Sequence, residues 1–259
     1  TMKKIFNRLP LYILAGLSLQ SCVKLDQEPF NDLSEQNSFL SVEDAQYWIN
    51  GMYDGLRENT YGNAMYSTDV QADFLNAVRR NNEVLPELHR WTNFTSSNGT
   101  TAAIWMAYYK AIQDINVALK GIPNVPISKE RERVERAQIQ RNLGELYLGR
   151  AYYYTYLITH FCGAYDASST YGLPILREFK VSNFPAPSTL KETYEFILED
   201  IARAQQLLDT TTGTEGATTF TVDAAKALKA RVLLYKGEWA AAYATAKSLI
   251  DAGTYPLAT

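Results

Sequence analysis

The chain has 259 residues with 25 basic and 28 acidic side chains, a formal charge of −3, and 46% hydrophobic and 20% charged residues, which suits a folded chain of one or two domains. No clustered basic stripe offsets the acidic balance, which argues against nucleic acid or an anionic membrane surface as the main partner. Tyrosine is the outlier at 18 residues, a surplus that fits packed helix pairs or an aromatic binding surface equally well.

Lys3, Lys4 and Arg8 precede the apolar run Leu9 to Leu19, which has the length of a signal-peptide core and is short for a bilayer span. Residues 1–21 therefore read as a signal peptide. Leu19-Gln20-Ser21-Cys22 resembles the lipobox of bacterial lipoproteins, with Cys22 as the lipid-carrying residue and Gln20 as a departure from the usual small residue. Removing the leader takes three positive charges and no acid, which leaves −6 from −3. With Cys22 lipidated, Cys162 has no partner for an intrachain disulfide. Residues 22–40 read as an extended tether whose Lys24, Asp26 and Glu28 form a charged start.

Ser41 with Asp44 predicts a helix start, and Ala45, Trp48, Ile49, Met52, Tyr53 and Leu56 follow at helical spacing over about 42–57. Between Glu58 and Thr100 the period fails, apart from one short helix near 69–78. This stretch holds Tyr61, Tyr66, Phe74, Trp91 and Phe94. Its aromatics either form a ligand surface or pin a long loop to the core. Helix returns over 101–122, on a face of Ile104, Trp105, Tyr108, Ile112, Ile115, Ala118 and Leu119. A third long helix spans about 129–162, with arginines and glutamates at its start as a solvated face. Its tyrosine-rich half, Gly144 to Gly163, sets Leu143, Tyr147, Ala151, Tyr154 and Phe161 on one face, beside a small-residue ridge of Ala137, Gly144 and Ala151.

A long connection, 163–187, leads to a helix opened by Ser188 or Thr189 with Glu192 in the capping-box place. Helices over 222–236 and 238–251 close the sequence. Ala230, Gly237, Trp239 and Ala242 stand where the tetratricopeptide pattern places small residues and an aromatic, while Lys226 and Lys229 depart from it. The fold class expected is all-α, built of tetratricopeptide-like helical hairpins with long irregular ligand-facing loops.

The order of these stretches resembles the SusD/RagB outer-membrane lipoproteins of Bacteroidota. Its carriers are the lipobox followed by Leu25-Asp26-Gln27-Glu28-Pro29, Asn50-Gly51-Met52-Tyr53, Ile115-Asn116, Gly144 to Gly163 running to Gly172-Leu173-Pro174-Ile175, and Ala224-Ala225-Lys226-Ala227-Leu228 to Tyr255-Pro256-Leu257. Residues 41–259 then form a SusD-like domain whose C-terminal part, by family length, lies beyond Thr259. The resemblance implies a lipid-anchored protein of the outer membrane, facing the exterior. It would capture a nutrient, an oligo- or polysaccharide, for a SusC-like TonB-dependent transporter. The alternative is a tetratricopeptide-type interaction scaffold, or a peptide-binding lipoprotein without glycan affinity. Trp91, Asn93, Phe94, Tyr61, Tyr66 and Arg79 are the expected ligand-binding residues, since aromatic rings stack on sugar faces and Asn or Arg bonds hydroxyls.

Catalysis finds little support. The two histidines, His89 and His160, stand apart, and no nucleophile elbow, phosphate loop, dinucleotide or zinc pattern occurs. Asp69 and Asp73 could share a helix face as a carboxylate pair, but a glycosidase needs its carboxyls opposed across a cleft. No metal, cofactor or catalytic residue is expected.

Overall fold

Capping and burial set the helix boundaries. A computed structural model describes residues 38–78, 85–92, 95, 98–180, 185–209, 211, 213–214 and 216–255; the leader, Cys22 and the tether up to residue 37, Arg79, Asn93 and Phe94 lie outside them. Among the described residues there are eight α-helices and no strand. From Phe39 onward the chain forms one compact unit.

Helix α1, Val42–Thr60, starts as its sequence requires: the Asp44 N–H donates to Ser41 Oγ. The carboxylate of Asp44 takes the Leu40 N–H at 3.0 Å rather than that of Ser41, because aspartate is one methylene shorter than the glutamate of a full capping box. Helix α2, Asn63–Gln71, lies earlier than the expected 69–78, because Gly62 turns left-handed at φ 89° and Asp73 ends the run at φ 60°. Helix α3 is the single turn Pro86–His89, and α4 spans Gly99–Gly121 with Asn98 accepting from the Thr101 N–H.

Helix α5, Glu132–Phe161, is 30 residues long, about 45 Å, and follows a 3-10 turn over Lys129–Arg131. Its burial differs from the expected single face. Gly144 through Ala151 is buried except for half-buried Tyr147, and Tyr153, Tyr154, Thr155, Leu157 and Ile158 are buried too. The reason is its position: α1 and α4 pack on it from one side, α6 (Leu190–Leu207) and α7 (Val222–Lys236) from the other. A helix surrounded in this way buries every side rather than a stripe. The small-residue ridge begins at Gly144, which meets Leu207 and Leu208; Ala137 is exposed. The solvated face is also narrower than expected, since Glu135 is buried and accepts the Ser128 N–H.

Thr189 and Glu192 form the expected capping box of α6. Gly237, at φ 81°, closes α7 and leads into α8, Trp239–Asp251. The α5–α6 and α7–α8 pairs are the most extensive packings in the molecule, as antiparallel hairpins require. Lys226, out of place in a tetratricopeptide pattern, pairs with Asp223 at 2.9 Å.

Gly172 to Arg177 is an extended strap across α4, α5 and α6 that joins no sheet. Side chains and one facing loop satisfy its backbone instead. Leu173 donates to Thr193, Leu176 donates to Tyr154 Oη, and Pro174 O accepts from Tyr109 and Tyr154. Asn116 donates to Leu176 O and Arg150 to Arg177 O. Gly172 must be glycine, because any Cβ would collide with the carbonyl of Thr189.

Candidate functional site

Helix α2 carries the expected site. Its inner residues Ala64, Ser67 and Val70 are buried, while Met65 and Tyr66 are exposed. Two contacts hold it to the C-terminal end of α5: Tyr156 Oη donates to Ala64 O at 3.1 Å, and His160 Nε2 lies 3.4 Å from Thr68 Oγ1. Beyond Gln71 the chain leaves the helix, and the N–H groups of Phe74 and Leu75 both donate to Asp69 O. It returns through α3, where Leu88 is buried and His89 Nδ1 approaches Val70 O at 3.4 Å. Asn98 ties this turn to α4 by donating to Glu87 at 2.6 Å.

Burial in this segment falls to small and aliphatic residues such as Ala64, Val70 and Leu88, and its described aromatics stand outside. Trp91 is 65% exposed and Phe74 82%. The Trp91 indole N–H donates to Gln71 O at 3.2 Å, which sets the ring at the C-terminal end of α2. Tyr61, also exposed, precedes the N-terminal end and Tyr66 lies midway. Three aromatics thus follow one nine-residue helix, about 14 Å long. The three non-glycine residues with left-handed backbone among the described residues, Asp73, Leu85 and Trp91 at φ 60°, 54° and 53°, all fall in this segment. Such conformations cost about 1–3 kcal/mol each and gather where function constrains the chain.

Of the other chemistry considered, the Asp69–Asp73 pair fails because α2 ends at Gln71 and Asp73 lies beyond it. His160 stacks on Tyr156, centroids 3.8 Å apart and planes 9° apart, with Nδ1 2.8 Å from Tyr156 O. Burial lowers its pKa, as a packing role requires. Among the described residues no His, Cys, Asp or Glu group could hold a metal ion, and no helix is long and apolar enough to cross a membrane.

A second site went unread in the sequence. Arg150, its side chain 5% exposed, donates to both carboxylate oxygens of Asp200, 2% exposed, at 2.7 and 2.8 Å. It also donates to Asn116 Oδ1 at 2.6 Å. Burial pushes the Asp200 carboxyl upward and the Arg150 bonds oppose that shift; two short bonds from a permanent cation fit the ionised carboxylate. The pair floors a cavity of about 300 Å3 between α4, α5 and α6. Its one signal in the sequence was Arg150 itself, the single charged residue from Leu146 to Thr159 of an apolar helix.

Comparison with known proteins places the chain. A family model described as SusD-like, starch-binding and associating with the outer membrane matches residues 25–234. A SusD-like protein P38 of Formosa agariphila is 26% identical, over all of this chain and 48% of its own length. A SusD superfamily protein of Bacteroides thetaiotaomicron superposes with TM-score 0.67 at 22% identity, covering 85% of this chain and 48% of that one. A SusD-like carbohydrate binding protein of Bacteroides vulgatus gives TM-score 0.68 at 18% identity, covering 85% and 46%. The chain spans about half the length of these relatives.

Proposed function

Because the chain belongs to the SusD-like family of starch-binding proteins that associate with the outer membrane, we propose that it captures an oligo- or polysaccharide at the cell surface. In this reading Cys22 carries the lipid anchor, and the captured glycan passes to a SusC-like TonB-dependent transporter. The observation that carries the proposal is the line of exposed aromatics along α2, ending in Trp91 with its indole N–H fixed and its backbone left-handed. Stacking needs rings held out from the core, as those of Tyr61, Tyr66 and Trp91 are. Arg79, Asn93 and Phe94 complete the proposed set, the polar pair as hydroxyl partners.

Calorimetric titration with maltoheptaose tests it. Trp91→Ala should weaken binding at least about tenfold, equivalent to about 1.4 kcal/mol, as loss of a central aromatic anchor does. Unchanged affinity would remove Trp91 from the site. A scaffold reading draws on α8, which exposes Trp239 and Tyr243 and buries Ala242 alone. Purification from native outer membranes separates the two: a stoichiometric TonB-dependent barrel supports delivery, and another protein without glycan affinity supports the scaffold.

A further inference from the structure

The cavity above the Arg150–Asp200 pair lies well apart from the aromatic line. Helix α2 meets α5 at Tyr156 and His160, six and ten residues beyond Arg150, about 9 and 15 Å along the helix. At about 300 Å3 the cavity stands at the lower end of the range for small-molecule sites. Its floor is largely satisfied: Arg150 serves Asp200, Asn116 and the strap, so selectivity must come from the wall and the mouth.

The wall is Tyr147, whose ring centroid lies 5.4 Å from the guanidinium carbons of both Arg150 and Arg203. At the mouth, Arg177 and Arg203 share one carboxylate, Glu199, at 3.1 and 2.9 Å. Arg203 also donates to Tyr147 Oη at 3.1 Å. Toward the described residues they use three N–H groups of the ten that two guanidiniums carry. Glu178, the remaining acid of the mouth, is paired with Lys180 outside it. The opening is thus net positive in a chain whose formal charge is −3, yet two carboxylates remain in it as acceptors. A bare anion would face Glu178 and Glu199; a ligand with both a carboxylate and hydroxyl donors would meet every group.

We propose that this cavity binds a carboxylate-bearing sugar residue, a hexuronate. Its carboxylate lies against Arg177 and Arg203, its hydroxyls donate to Glu178 and Glu199, and its ring lies beside Tyr147. The protein would then hold two subsites of different chemistry, an apolar aromatic line and a cationic cavity.

Titration of the whole chain in detergent with D-glucuronate, D-glucose and L-glutamate tests the assignment. Saturable binding of glucuronate is expected, with glucose at least about tenfold weaker because it lacks the charge-assisted bonds. Arg203→Ala and Arg177→Ala, both exposed and checked for unchanged circular dichroism, should each weaken glucuronate about tenfold. Arg203→Lys should recover part of that loss, since it keeps the charge without the fork. Absence of saturable glucuronate binding, equal binding of glucose, or indifference to both arginine variants would overturn the proposal. Glutamate binding as tightly as glucuronate would overturn the sugar in favour of an amino-acid or peptide carboxylate.

Discussion

Arg150 shows how much one side chain can organise when it is buried with a full set of acceptors. It reaches Asp200, Asn116 and the strap carbonyl of Arg177, so its removal leaves a carboxylate and two carbonyl oxygens without their donor. Arg150→Met should cost about 3–5 kcal/mol in urea unfolding, most of it the uncompensated Asp200. Adding Asp200→Leu should return that part and leave about 1–3 kcal/mol for the oxygens that lost their donor; a double variant as unstable as the single one would refute this division. His160 offers a pH signature. Burial holds its pKa below 6.5 in the folded chain, so the unfolded chain takes the proton first as pH falls. Stability from this ring is therefore full above about pH 6.5 and is lost below it, down to the folded value. Thermal melting at about pH 7.5 and 5.5 should show a smaller drop for His160→Gln than for the parent chain.

Among the elements, α5 decides the architecture, and its glycines decide how close its neighbours come. A Cβ on Gly144 would stand 2.7 Å from Leu208 Cγ and 3.0 Å from Leu207 Cβ, whereas one on Gly149 would stand 2.7 Å from Met52 Sδ. Alanine should gain about 1 kcal/mol of helix propensity at either place. At Gly149 the flexible thioether can move, so Gly149→Ala should be near neutral. At Gly144 two branched side chains close the end of α6, and Gly144→Ala should destabilise by about 1–3 kcal/mol. Equal unfolding midpoints for the two variants would contradict that ordering. The sequence made the helices legible through Ser41, Thr189 and Gly237 at their ends and through apolar spacing between them. It misled on α5, because period counting assumes an outward face. It misplaced α2 because the left-handed turns at Gly62 and Asp73 leave no periodic trace.

In the whole molecule, the SusD-like character was readable from the order of several weak stretches, and the family match over residues 25–234 agrees. The site was readable only as a region: aromatic content singled out 58–100, but exposure of Trp91 and Phe74 depends on which small residues take the core side. Of the Arg150–Asp200 pair only Arg150 left a signal, since its members stand 50 residues apart and meet only when α5 and α6 pack. The strap from Gly172 to Arg177 carries a consequence for the order of assembly. Its partners come from α4, α5, α6 and the loop at Ser188, and its bonds span up to 65 residues of chain. The Leu173 and Leu176 amides donate to α6 and α5, so they can gain protection only after those two helices have closed on the strap. Its docking is thus a non-local step, and protection at Leu173 and Leu176 marks a chain in which α5 and α6 have come together around it.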